Sequence, residues 1–394
     1  MKILVYRWKA YNYTDVIASF QMLGHTVEEL DYHLDNYDFD AQFAGLLTRK
    51  LRERAYDFVF SMNYFGVISD VCESCSIKYV SWSCDSPLLS MYHRSVYNAC
   101  NYLFLFDKSN YYEFLGMGLA HVYYLPLAVD CRRIEHVLEQ TRDRSSCYRN
   151  EIAFVGSLYE RNSYDRIKDQ LPEFLQGYFE AVIRAQMDIS GGNIIEDMLT
   201  SDILMQLEEV YHLEKSEGSF SNLGLVFSTT VLGFQVAKRQ RRQALLTLAK
   251  KHDVTIYTNS DTSDLLGVTY RGGVDYWNEM PRVFHDSKIN LNFTIPNIVT
   301  GIPLRVWDVL GAGGFLLTNY QAELPDYFKN KEDLVYFEDM RQLSELTDYY
   351  LSHEEERCAI AGHGRETVKK SHTYLQRIQK MLDNVFAIET CQMW

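Results

Sequence analysis

Short apolar runs alternate with amphipathic stretches along the first 150 residues. KILVY (2–6), HTVEEL (25–30), YDFVFSM (56–62), KYVSWSC (78–84), NYLFLFD (101–107) and HVYYLPL (121–127) have the length and apolar content of strands. Between them, TDVIASFQML (14–23), stopped by Gly24, DAQFAGLLTRKLRER (40–54), VISDVCESCSI (67–77) and SNYYEFLGMG (109–118) space their apolar residues for one helix face. Strand–helix alternation of this kind predicts a parallel, doubly wound sheet. Such sheets hold ligands at the loops leaving the carboxyl ends of the strands.

The segment 132–149 is charged and polar, as a linker or surface helix is, and at 151 a new strand, EIAFVGSL, opens a second unit. A helix-rich section from Tyr164 to about Lys251 includes IIEDMLTSDILMQLEEVYHLEK (194–215) and the basic VAKRQRRQALLTLAKKHD (236–253). Alternation then resumes with VTIYTNS (254–260), GVTYRG (267–272), KINLNFT (288–294) and LRVWDVLGAGGFLLTNY (304–320), and a helix over 365–385 closes the chain. In that last stretch Tyr374, Ile378, Met381, Leu382 and Val385 share one face, so it is expected to pack rather than fray. The plan is two α/β units with a helical insertion in the second.

Composition narrows the function classes. The 394 residues carry 39 basic and 53 acidic side chains, a net charge of −14, which argues against nucleic acid or an anionic membrane as partner. No window approaches the roughly 18 uninterrupted apolar residues of a membrane-spanning helix. The N-terminal apolar run is too short for a secretory leader, so a cytoplasmic protein with reduced thiols is expected. Among eight cysteines, Cys72 and Cys75 form a C-x-x-C with no second pair at zinc-site spacing, and no D-x-D stands at a strand end, so no metal is expected. The 29 tyrosines, 21 phenylalanines and 5 tryptophans suit core packing and are compatible with sugar rings. The KRQRR run (238–242) reads as a solvated helix face.

The most informative stretch is TGIPLRVWDVLGAGGFLLTNY (300–320), which reads as loop, helix, glycine turn and strand. Gly301 and Pro303 open a helix at Leu304 whose free N–H groups and positive dipole end suit an anion such as a diphosphate. Arg305 adds a charge able to meet phosphate in bidentate fashion, and Asp308, one turn on, can accept from ribose hydroxyls. Gly311, Gly313 and Gly314 end the helix. The same residues also read as an ordinary βαβ turn with structural glycines.

This stretch, with FVGSLYERN (154–162), VTIYTNS (254–260), YRGGVDYWNEMP (270–281), WSCDSPLL (82–89) and YLPLAVD (124–130) in the same order, resembles the group 1 glycosyltransferases, specifically the CgeB-like branch with a DUF3880-type N-terminal half. The resemblance runs over nearly the whole chain and is least distinctive over 163–235. It implies an α/β GT-B architecture of two Rossmann-like domains facing a cleft. Residues 1–149 would form the acceptor domain, and 150–374 the nucleotide-sugar domain with its insertion at about 163–235. A helix over 375–394 would cross back onto the first domain. It further implies that Gly156 and Ser157 form the loop after the first strand of the second domain, with Arg161 on phosphate and Tyr257 and Asn259 near the donor. Gly273, Val274 and Tyr276 would cup the nucleobase. Gly301, Ile302, Pro303 and Arg305 would meet the diphosphate or sugar, and Asp308 the ribose. The first strand, however, leads into YRWKAYN without a glycine-rich loop.

The expected chemistry is metal-independent transfer of a sugar from a nucleoside-diphosphate sugar, UDP-sugar foremost, to a glycan, protein or small-molecule acceptor, with no further cofactor. A non-catalytic glycan- or protein-binding scaffold and a nucleotide-sugar epimerase are the alternatives. Asp85, directly after a strand, is placed to take the acceptor proton as general base, and equally to cap the helix that follows.

Overall fold

The computed structural model describes residues 1–140, 148–160 and 162–386. The chain divides into two compact units: Met1–Ala128 with Glu214–Ser221 and His372–Trp394, and Val129–Leu213 with Asn222–Ser371.

The first unit is built on a six-stranded sheet of β1 (Lys2–Arg7), β2 (Thr26–Asp31), β3 (Phe58–Met62), β4 (Lys78–Trp82), β5 (Asn101–Leu105) and β6 (Val122–Tyr124) in the order β2-β1-β3-β4-β5-β6. Every pairing is parallel, with Ile3 opposite Phe58 and Tyr79 opposite Asn101. β3 and β5 are buried at every position, as central strands covered on both faces must be, whereas the edge strand β2 buries only Leu30. Phe20 packs edge-on against Phe58 and Phe60, joining the helix Tyr13–Met22 to the sheet.

The helix Tyr374–Phe386 lies against Tyr13–Met22 and buries Tyr374, Ile378, Met381, Leu382 and Val385. Arg377 Nε donates to the Pro126 carbonyl at 3.0 Å. The expected closing helix over 365–385 is in fact two, Glu354–Ser371 and Tyr374–Phe386. Thr373 breaks it: its backbone N–H and hydroxyl both donate to Gln376 Oε1, a capping box that starts a new helix.

The second unit repeats the plan with β7 (Asn150–Val155), β8 (Val254–Tyr257), β9 (Val268–Tyr270), β10 (Ser287–Asn292), β11 (Leu316–Asn319) and β12 (Val335–Phe337). All are parallel, in the order β12-β11-β10-β7-β8-β9. The helical section between β7 and β8 buries its own cluster around Tyr164, Phe179, Phe227 and Val231. Within 194–215 the helices are Ile195–Met198 and Ser201–Glu208, the second opened by Thr200 in extended conformation.

The division falls at Ala128/Val129, ahead of the expected 149/150, because the helix Cys131–Gln140 belongs to the second unit. Arg133 donates to the Trp277 carbonyl at 3.0 Å, and Glu135 pairs with Lys369 at 2.8 Å and Arg365 at 3.2 Å. Conversely, residues 214–221 of the insertion belong to the first unit. There Arg94 N donates to Gly218 O and Phe220 N to Tyr92 O, both at 2.9 Å, and the Ser216 hydroxyl donates to Asp38. Gly218 has φ +91°, and a Cβ on it would stand 2.8 Å from Arg94 Cδ and 2.9 Å from His93 Nε2, so only glycine fits. Among the described residues no helix is long and apolar enough to cross a membrane, and no three His, Cys, Asp or Glu side chains group to hold a metal ion.

Candidate functional site

The carboxyl ends of β7 and β10, neighbours in the second sheet, carry most of the expected donor residues. β7 runs into Gly156-Ser157-Leu158-Tyr159, which is turned sharply: Tyr159 has φ +54° and its N–H donates to Ser157 Oγ at 3.0 Å. β10 runs into the loop 293–303 and then the helix Leu304–Gly311, whose N-cap, Pro303, offers no side-chain acceptor. No side chain caps its first turn, where Val306 N closes on the Pro303 carbonyl at 3.1 Å. Ile302 is buried and gives its carbonyl to Trp307 Nε1, while the Gly301 carbonyl accepts from Gln321. Only backbone is on offer there.

Between the two loops stands Arg241, from the helix Phe234–Leu248. Its Nη1 donates to Ser157 O and its Nη2 to Phe293 O, each at 2.6 Å, so one guanidinium ties the ends of β7 and β10. It is sandwiched by Phe154 and Tyr159, with ring centroids at 5.5 and 4.9 Å. Among the described residues no carboxylate pairs with it, and Nε has no partner. Crowding and the nearby positive charge of Arg305 push its pKa down. Arg241 and Arg305 are close enough for one charge to act on the other, and cations of this kind near a helix start without a side-chain cap suit an anion.

Arg241 corrects the reading of KRQRR as a solvated face. Lys238 pairs with Asp165, Arg239 forks onto Glu180 at 2.7 Å, and Arg242 pairs with Asp264, all within the protein surface. The run is a row of acid-paired cations with one member, Arg241, turned to the strand ends. The sequence signal was present only as a basic cluster one helix upstream of β8.

Arg305 lies over the Phe284 ring at 5.2 Å, with Nη1 against Met280 Sδ and 3.5 Å from Asp308 Oδ2. Asp308 is buried, and its Oδ1 accepts from the Tyr276 hydroxyl at 2.9 Å. The Arg133 guanidinium lies 5.3 Å above the Tyr276 ring. A Cβ on Gly273 would stand 2.3 Å from Asn259 Oδ1, so a larger residue there would displace the Asn259 amide. Tyr257 points away from its strand end: its hydroxyl donates to Asn150, at the opposite end of β7, at 3.2 Å. Tyr257, Gly273 and Val274 line a cavity of about 480 Å³ together with Arg149, Arg271 and Arg282. Arg161 lies outside the described residues.

In the first unit Asp85 follows β4 and caps no helix. A cis Ser86–Pro87 bond comes next, and the hydrogen bond to its carboxyl is from Asn63 Nδ2 to Oδ2, at 2.6 Å. Asp85 reaches solvent on one side, yet the protein packed around it removes enough water to raise its pKa above the usual carboxylate range, against the lowering effect of Asn63.

Residues 239–383 match the Glycosyl transferase-like family. No curated protein sequence matches the chain. Among solved structures, Anabaena HepE in complex with UDP-glucose is 8% identical with a TM-score of 0.56, over 98% of this chain and 100% of that one. A UDP-forming α,α-trehalose-phosphate synthase from Burkholderia xenovorans is 11% identical with a TM-score of 0.56, over 98% of both chains. The sucrose-phosphate synthase of Thermosynechococcus elongatus is 10% identical with a TM-score of 0.53, over 98% of this chain and 100% of that one. At these identities the likeness concerns the fold: the chain has the GT-B fold, with a Glycosyl transferase-like segment over 239–383 that carries Arg241, Arg305 and Asp308.

Proposed function

We propose that the protein is a glycosyltransferase that moves a sugar from a nucleoside-diphosphate donor, foremost a UDP-sugar, to an acceptor hydroxyl. The observation that carries this reading is the pair Arg241 and Arg305 at the ends of β7 and β10, beside the uncapped start of Leu304–Gly311. The resemblance of WSCDSPLL and GIPLRVWD to the CgeB-like branch supports it, as do the Glycosyl transferase-like match and fold neighbours solved with UDP-glucose.

In the transfer, the bond from the sugar's anomeric carbon to the diphosphate oxygen breaks and its electron pair leaves with the diphosphate. Arg241, Arg305 and the helix N–H groups receive that growing charge, which is where fixed donors accelerate most. The two guanidinium groups supply the positive charge without a divalent ion. In an inverting transfer Asp85 takes the acceptor hydroxyl's proton as the oxygen attacks. Asp308 and Gly273–Tyr276 hold the nucleoside.

The test is thermal shift with UDP, GDP, ADP and dTDP, followed by UDP-glucose turnover with and without EDTA. Stabilisation by UDP and EDTA-resistant release of UDP are expected. A protein that ignores all four nucleotides is not a transferase, and a product that is the C4 epimer of the donor by mass-resolved chromatography overturns transfer.

A further inference from the structure

Asn63 closes β3 in a left-handed conformation, φ +62°, which is uncommon outside glycine and which asparagine tolerates better than most residues. Every polar group of the residue is engaged. Its N–H donates to Trp82 O at 2.8 Å, and its carbonyl accepts from Ser61 Oγ at 2.6 Å. Its side-chain Oδ1 accepts from Cys84 N at 2.8 Å, and its Nδ2 donates to Asp85 Oδ2 at 2.6 Å. The Cys84 N–H fixes which way the amide faces: only Oδ1 can meet a donor there, so Nδ2 must point at the carboxyl. The residue is buried, while Asp85 opens to solvent. Among the described residues Asp85 Oδ1 has no hydrogen-bond partner.

We propose that Asn63 is a positioning residue for Asp85, its amide holding Oδ2 so that Oδ1 stays free and aimed to receive the acceptor's proton. This rests on the reading of Asp85 as general base. A left-handed strand end needs only a glycine; the asparagine supplies a donor to one carboxyl oxygen. That bond also holds the carboxyl's proton affinity down, opposing the loss of water around it.

Asn63→Gly keeps the backbone conformation and removes the donor; Asn63→Asp keeps an acceptor for Cys84 N and removes it too. The probe is UDP-glucose hydrolysis without acceptor, with kcat and KM followed against pH, beside 13C NMR titration of the Asp85 carboxyl in the full chain, assigned with Asp85→Asn. For Asn63→Gly we expect kcat to fall about tenfold with KM for UDP-glucose unchanged. The acid limb and the carboxyl titration should both move to higher pH, by about one unit for a lost charge-assisted bond. An unmoved carboxyl titration in Asn63→Gly overturns the positioning role even where Asp85→Asn is inactive. Wild-type turnover in Asp85→Asn overturns the general-base reading, and the positioning role with it.

Discussion

The Tyr276 hydroxyl donates to Asp308 Oδ1 at 2.9 Å, with both residues buried in the second unit. The pair joins the segment after β9 to the helix Leu304–Gly311, with Arg305 3.5 Å from the other carboxyl oxygen. Removing the hydroxyl takes one donor away from a buried carboxylate. Tyr276→Phe should lower unfolding free energy by about 1–3 kcal/mol in urea denaturation. An unchanged midpoint would mean that Asp308 does not depend on this bond.

Arg241 offers a sharper test of the proposed donor site, because a guanidinium there is proposed to meet phosphate and not the nucleoside. Arg241→Met should weaken UDP binding by about tenfold or more, in keeping with a charge-assisted contact of roughly 1.5–3 kcal/mol, and leave uridine binding unaltered. Calorimetric titration of both ligands decides it. Equal losses for UDP and uridine would indicate that the variant has collapsed the loop 156–159 instead.

His372 makes the first unit sensitive to acid. Burial first, and then the charge of Arg377, hold its pKa down at about 4, against a usual value of 6.5. Its Nδ1 accepts from Arg377 Nη2 at 2.8 Å, which only a neutral ring can do. The unfolded chain therefore binds this proton at a higher pH than the folded one. Stability from this group is complete above about 6.5 and drains away as pH falls towards about 4. The melting temperature should drop across that window, and less steeply in His372→Gln.

The helix Tyr374–Phe386 should matter to folding through its buried stripe. Ile378 is fully buried on the helix that packs against Tyr13–Met22. Ile378→Ala should cost about 2–5 kcal/mol, while Gln379→Ala, on the exposed face, should stay within about 0.5 kcal/mol. Comparable effects from the two would show that the stripe does not anchor the helix.

Much of the sheet architecture was legible because the strands are short, apolar and regularly spaced: KILVY and YDFVFSM became neighbours β1 and β3 of one parallel sheet. The glycine requirement at 218 was not, since it depends on a left-handed backbone set against Arg94 and His93, far away in sequence. The helix break at Thr373 escaped because apolar periodicity runs through it, while the interruption comes from local capping. Arg241 and its paired neighbours are the same residue types in a row. Which of them lacks an acid is set by where Asp165, Glu180 and Asp264 arrive in the fold.

The excursion of residues 214–221 into the first unit has a consequence for the protein's modularity. The polypeptide passes between the units at 128/129, 213/214, 221/222 and 371/372, so neither unit is a continuous stretch of the gene. A recombination event that swapped the amino-terminal half for that of a relative would bring in a surface shaped for a different strap, with Arg94, Tyr92 and Asp38 no longer there to receive Gly218, Phe220 and Ser216. New properties of the first unit in such a lineage would have to arise by substitution within the resident unit rather than by exchange of a cassette.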